Sequence, residues 1–386
     1  MRYDFGIVID RRNTNSIKYD FTSERGMPEG LLPMWVADMD FPAPFEVISD
    51  IVKTAKHGIF GYTGVKDDYY NAVSGWFSSG FGYTVDKMEI IKAPGVVFAL
   101  AQIIRSFTGS GETVLVQTPV YYPFYDIISN NKRKLSTNPL KYSGGKYTVD
   151  FDDFELKIRT EQVKMFLLCN PHNPVGRVWT KPELERMDEI CRKYGVIIVA
   201  DEIHCDFVWP GNMHVCFGTI NEDAIIATAP SKTFNLAGLQ IANIFIKNTQ
   251  LRAGLEEEIN ASGYNQLNVL GLTACQSAYL HGGEWLKQLK DYLITNIRHT
   301  REFLAERLPK VRLAEPEGTY LLWLDFSAYR LSQNELDRRI IEGAGLWLDS
   351  GTMFGPEGTG FQRINIACPR TVLTRALNRL EKEFRD

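Results

Sequence analysis

The sequence predicts an α/β fold, a mostly parallel sheet flanked by helices, with a smaller α+β unit after it. Two observations carry this. Between residues 113 and 246, short apolar runs alternate with helical patterns. The runs are apolar throughout rather than at every second position, as strands covered on both faces require. An amide, a carboxylate and an amine, Asn170, Asp201 and Lys232, then follow such runs, each 31 residues from the next. Ligands of open α/β sheets bind at the carboxyl ends of strands, so this spacing points to one site.

An irregular arm rich in proline and glycine fills residues 1–44. A helix follows, with Phe45, Ile48, Val52 and Ala55 on one face and Gly58 near its end. Next come Phe60-Gly61-Tyr62-Thr63 and Pro94-Gly95-Val96-Val97, the second opening a helix through Phe107. Strands are expected at 113–117, 164–169, 196–200, 224–228 and 241–246. Thr180 and Glu183 form a capping box for a helix with Leu184, Met187, Cys191 and Tyr194 on one face, which stops at Gly195. After Gly282 the texture changes. Trp285, Leu289, Leu293, Ile297 and Leu304 mark one long helix that Pro309 ends. Beyond it lie a strand at 320–326, a capping box at Ser332 and Glu335, the segment 360–369 and a last helix from Thr371. The expected division is an arm at 1–44 that joins the small domain, a large domain at 45–283 and a small domain at 284–386.

The 386 residues are 44% hydrophobic and 23% charged, with a formal net charge of −4. Such a composition is globular, and the length suits two or three domains. Mild acidity leaves no basic footprint for nucleic acid or an anionic membrane. The start, MRYDFGIVIDRRN, has no apolar signal core, and no apolar run is long enough to span a bilayer. The cytoplasm is therefore the expected location. Six cysteines are scattered without a Cys-x-x-Cys pair, which argues against a disulfide framework or a zinc site, and no metal is expected.

The Asn, Asp and Lys set suits pyridoxal phosphate (PLP). A lysine amine forms a Schiff base only when unprotonated, and burial lowers its pKa. Asp201 would pair with the pyridine nitrogen and keep it protonated, making the ring an electron sink. Asn170 could bond the ring's phenolic oxygen and the substrate carboxylate, and His204 could reach the same oxygen. Tyr121 could stack on the ring face, with Tyr122 as an adjacent competitor. The helix start at Gly95 and Val96 offers unsatisfied N–H groups to a phosphate. Arg363, flanked by apolar residues, can hold a carboxylate through two parallel hydrogen bonds, which suits an amino-acid substrate. Taken singly, several of these have plainer explanations: an Asn-Pro turn, a capping aspartate, a core histidine, a packed tyrosine. Cys205 reads as a packed small hydrophobe.

With these residues in place, the chain resembles the fold-type I PLP enzymes of the class I/II aminotransferase superfamily. Within it the resemblance is to the MalY/PatB group of cystathionine β-lyases, or C–S lyases. The matching segments are 32–41 (LPMWVADMDF), 58–63 (GIFGYT), 94–97 (PGVV), 169–177 (CNPHNPVGR), 201–204 (DEIH) and 230–240 (PSKTFNLAGLQ). The likeness spans essentially the whole chain. It implies that Lys232 is the Schiff-base lysine, Asp201 the ring-nitrogen partner, Asn170 the asparagine of the motif and Tyr121 the stacking aromatic. It implies that Arg363 grips the substrate α-carboxylate, with Ala37 beside the substrate. Tyr62 matches a tyrosine that reaches the phosphate of the neighbouring subunit, which implies a homodimer with shared sites.

Two positions depart from the aminotransferase pattern. Gln240 stands where many aminotransferases carry a phosphate-binding arginine, and Ala229 where many carry a serine. The phosphate then relies on the Gly95/Val96 helix start, Tyr62 and Ser231. His204 also replaces a tyrosine common there. The expectation is a PLP-dependent C–S β-lyase that converts cystathionine or related cysteine S-conjugates to pyruvate, ammonia and a thiol. An aminotransferase on the same fold, and a PLP-binding regulatory module with incidental turnover, stay open as alternatives.

Overall fold

The apolar runs form the middle of a seven-stranded sheet. In the computed structural model, which describes residues 3–264 and 266–385, its strands are β1 (Ile90–Ala93), β2 (Thr113–Thr118), β3 (Lys134–Pro139), β4 (Val163–Cys169), β5 (Ile197–Asp201), β6 (Ile225–Thr228) and β7 (Ala242–Phe245). Residues 1, 2 and 386, the outermost parts of the expected arm and small domain, lie outside the described residues. The strand order is β1-β7-β6-β5-β4-β2-β3. Strands β6, β5, β4, β2 and β3 run parallel, whereas β7 is antiparallel to both of its neighbours. The apolar composition of 241–246 marks burial on both faces and carries no direction.

Both faces of the sheet are covered. Along β4, Met165 and Leu167 belong to one apolar cluster, and Phe166 and Leu168 to the other. Successive side chains of a strand point to opposite faces, so a run that is apolar throughout feeds two cores at once. The two strands without such a run, β1 and β3, are the edges of the sheet. Residues Lys134 and Leu135 of β3 are exposed, as edge strands tolerate.

Helix α1 (Phe45–His57) carries the apolar face read from the sequence, but that face lies on the subunit surface. Phe45 is 58% exposed, Ile48 41% and Val52 44%. Helix α2 (Val96–Phe107) follows β1 and points its start at the ends of the central strands. Helix α3 (Lys181–Tyr194) has the full Thr180/Glu183 capping box and stops at Gly195. At the second expected box, Ser332 accepts from the Glu335 N–H, but the Glu335 carboxylate turns to Arg338 at 2.8 and 2.9 Å. Among the described residues, no helix is long and apolar enough to cross a membrane.

A second sheet contains β8 (Arg312–Leu313), β9 (Leu321–Asp325), β10 (Asp349–Ser350) and β11 (Phe361–Asn365), in the order β8-β9-β11-β10 and antiparallel throughout. The amino-terminal arm ties into this region. Leu32–Pro33 pairs in parallel with Leu346–Trp347, and the Asn365 N–H donates to the Met34 carbonyl at 2.8 Å. The same arm reaches the main sheet. Asn235 donates to the carbonyls of Met39 (2.8 Å) and Phe41 (2.9 Å) and accepts from the Met39 N–H at 3.0 Å.

A nearly buried charge cluster fixes the arm. Lys18, 1% exposed, meets Asp40 at 2.9 Å. Arg11 meets Asp40 at 2.9 Å and Asp38 at 2.6 Å. Removing one partner of such a set leaves a buried charge undercompensated. Lys18→Met should therefore destabilise the protein by roughly 3 kcal/mol, the lower end for a broken buried pair because Arg11 still faces Asp40. Lys18→Met with Asp40→Asn should recover part of that loss. Chemical denaturation of the two variants and the parent checks both expectations.

Candidate active site

Asp201 is the last residue of β5, and Lys232 sits in the single helical turn Pro230–Thr233 after β6. Because β5 and β6 are neighbours, both residues open onto one cavity, together with Tyr121, His204, Ala37 and Ser231. The start of α2, from Pro94 to Val97, and Gln240 complete its wall.

The Lys232 Nζ donates to the Ala37 carbonyl at 2.8 Å, and the Tyr320 hydroxyl donates to the same oxygen at 3.0 Å. Burial pushes the Lys232 amine down to about 8; Arg363 adds to this, while Asp38 and Asp201 pull the other way. Burial pushes Asp201 up to about 7, against the Ile203 N–H at 3.1 Å and the Lys232 charge. The two groups form no ion pair with each other. His204 is held neutral, well below its ordinary value, by burial and by the charges of Lys232 and Arg363. Among the described residues, its buried Nδ1 has no hydrogen-bond partner. Tyr121 is half-buried, and burial raises its hydroxyl.

Gly95 caps α2 at φ 127°, a backbone region that side chains disfavour, and no side chain bonds the helix start. The first N–H groups of the helix therefore have no intrahelical acceptor and carry the positive end of its dipole into the cavity wall.

Arg363 lies on β11 just behind the cavity, 2% exposed. Its guanidinium donates to Asn173 Oδ1 at 2.9 Å, to the Trp35 carbonyl at 3.0 Å and to Asp349, its cross-strand partner on β10.

Asn170 does not line this cavity, and Tyr62, whose expected place is the neighbouring subunit's phosphate, lies outside it too. Asn170 is fully buried outside the cavity lining. Its N–H still pairs with the Asp201 carbonyl at 2.9 Å, and its Nδ2 donates to the Val215 carbonyl at 3.1 Å and contacts Glu202 at 3.4 Å. The motif asparagine on the cavity is Asn173, three residues on, past the first Asn-Pro turn. Equal spacing from Asp201 singles out Asn170, whereas the second Asn-Pro pair of the motif is the one that supplies the amide on the cavity. Tyr62 is 96% exposed and lines a separate cleft with Tyr70, Lys92 and Tyr264. Asp349 and Tyr320 had no sequence signal, because their place depends on strand pairing in the second sheet.

The lining fits pyridoxal phosphate. It offers an amine of lowered pKa for an aldehyde, a buried carboxylate without a cationic partner for a ring nitrogen, and an uncapped helix start for a phosphate. The unpartnered His204 Nδ1 supplies one more polar atom at the wall.

The family model for aminotransferase class I and II matches residues 36–380. The chain belongs to the class I and II aminotransferase family. It is 41% identical over 376 residues to the cystathionine beta-lyase PatB of Bacillus subtilis (strain 168), across 96% of this chain and 97% of that one. A PLP-bound putative aminotransferase from Clostridium difficile 630 superposes with a TM-score of 0.97 at 37% identity, covering 99% of this chain and 100% of that one. A PLP-bound C–S lyase from Staphylococcus hominis superposes with a TM-score of 0.93 at 34% identity, covering 100% and 98%. Pyridoxal phosphate is the cofactor of this class I and II family member.

The raised Asp201 pKa sets a pH dependence in the cofactor-free protein. The folded state keeps this proton up to about pH 7, whereas the unfolded chain releases it near 3.8. The stability contributed by the protonated carboxyl is thus fully present below about pH 4 and is lost as pH rises through 7. Cofactor-free Asp201→Asn lacks this decline, so its stability relative to the parent should rise by roughly 1–4 kcal/mol between pH 4 and 7. Denaturant titrations of both proteins across that range provide the check.

Proposed function

We propose that the chain is a pyridoxal-phosphate-dependent carbon–sulfur β-lyase. It cleaves cystathionine or related cysteine S-conjugates to pyruvate, ammonia and a thiol. One observation carries this: Lys232 and Asp201 share a cavity in a chain 41% identical, over nearly its whole length, to a cystathionine beta-lyase. Gln240 on the cavity wall, where many aminotransferases carry an arginine, favours the lyase over the aminotransferase reading.

In this reading the bound cofactor supplies an electron sink for negative charge on the substrate α-carbon. Asp201 holds the ring nitrogen's proton, and its burial keeps that charge pair strong. The α2 start, Ser231 and Gln240 would hold the phosphate, and Tyr121 would cover the ring. Arg363 and Asn173 grip the substrate α-carboxylate beside Ala37 and fix the direction of the α C–H bond. The Lys232 amine, poised near pH 8 at the Ala37 carbonyl, takes the α-proton as general base. The Cβ–S bond then breaks with its electron pair going to sulfur, and water converts the three-carbon remainder to pyruvate and ammonia.

The working unit in this reading is a homodimer in the cytoplasm. The exposed apolar face of α1, with Ile59 and Phe60 beside it, needs a cover, and Tyr62 projects from the same stretch. A second copy seated there brings Tyr62 to the partner's phosphate. All six cysteines are free and buried, in keeping with a reducing compartment.

Lys232→Ala should lower pyruvate release from cystathionine by about 10²–10⁴-fold or more, the scale at which a lost general base is felt. Turnover retained within tenfold of the parent contradicts the assignment, as does amino transfer to an added 2-oxo acid without pyruvate. For the shared site, Tyr62→Ala should weaken cofactor retention. Mixing it with Lys232→Ala and exchanging subunits should restore one intact site per mixed dimer, read as regained pyruvate release.

A further inference from the structure

The terminal nitrogens of the resting Arg363 are already engaged, by Asn173, the Trp35 carbonyl and Asp349. A second guanidinium stands close by without such commitments. Arg25 ends the short turn Ser23–Arg25 of the arm. Gly26 closes that turn at φ 68°, and the Met27 N–H bonds the Thr22 carbonyl at 3.0 Å. Among the described residues, the exposed Arg25 guanidinium has no ion-pair or hydrogen-bond partner. It lies 5.0 Å from the centre of the Trp35 ring.

Trp35 is a firm support. Its ring stacks on Trp347 at 4.5 Å and 13°, and it is only 8% exposed. Its backbone carbonyl is the one that holds Arg363. Burial raises the Tyr122 hydroxyl, with Asp349 and Asp126 adding to this, while the charges of both Arg363 and Arg25 pull the other way. A guanidinium resting over an indole keeps N–H groups free for a carboxylate, and loses less freedom on binding it than an untethered side chain would.

We propose that Arg25 binds a distal carboxylate carried beyond the leaving sulfur, so that Arg363 and Arg25 together select dicarboxylic cysteine thioethers and disulfides over S-alkyl cysteines. This rests on the lyase reading and names its substrate class. Arg363 takes the α-carboxylate next to the reacting carbon. Arg25, on the arm over the Trp35 ring whose residue also holds Arg363, takes the far end of the leaving group.

Cystathionine and S-(3-aminopropyl)cysteine differ only in the distal carboxylate, and pyruvate release from each tests the assignment. Arg25→Met should lower kcat/KM for cystathionine about tenfold, mostly through KM, the scale of one lost charge-assisted contact. S-(3-aminopropyl)cysteine should change by less than about twofold, and Arg25→Lys should recover part of the cystathionine loss. Equal losses on both compounds, or no loss on either, overturn the role of Arg25 while leaving the lyase reading intact. Parent enzyme that releases pyruvate from neither compound overturns the lyase reading and this assignment with it.

Discussion

Two opposite charges held at the ends of adjacent strands, without touching, organise this molecule. Asp201, buried, closes β5 and Lys232, half-buried, follows β6, and both amine and carboxyl lie in surroundings that solvate charge poorly. Had they formed an ion pair, each would have kept its charge. Apart, burial drives both toward neutrality, the carboxyl up to about 7 and the amine down to about 8. That is costly for the bare protein and useful for the loaded one. A cationic ring nitrogen relieves the first group and an aldehyde consumes the second, so cofactor binding and folding are linked.

The remaining architecture keeps these two groups apart and oriented. The arm passes over the cavity and lends the Ala37 carbonyl to Lys232. Asn235 pins the arm to the lysine-bearing turn, and the Arg11, Lys18, Asp38 and Asp40 cluster pins it again from behind. From the other side, the second sheet delivers Arg363 with its charge already balanced by Asp349. A buried arginine that is pre-paired costs less to hold, and it exchanges one carboxylate for sharing with another when an amino acid enters.

The sequence was most legible where one physical cause dominates. Strands buried on both faces produce unbroken apolar runs, and those runs located β2, β4, β5, β6 and β7. Edge strands β1 and β3 escape the same logic, since one side of each is unpaired and β3 mixes exposed with buried positions. Strand direction was not legible for β7, because burial does not encode it. The helix face of Phe45, Ile48 and Val52 was read from its period, but a period cannot say whether the cover is the same subunit. At the site, Asp201 and Lys232 were fixed by chemistry that few residues can perform. Equal spacing points to Asn170, whereas the turn after it places the Asn173 amide on the cavity. Asp349 and Arg25 depend on pairings between distant segments, which a single sequence does not display.

The most direct test of the central claim locates the cofactor's covalent partner. Reducing the purified holoenzyme with borohydride and mapping its peptides by mass spectrometry should find the reduced cofactor on the peptide that contains Lys232. Label on another lysine, such as the half-buried Lys290, or no covalent label in a protein that still carries the cofactor, contradicts the account.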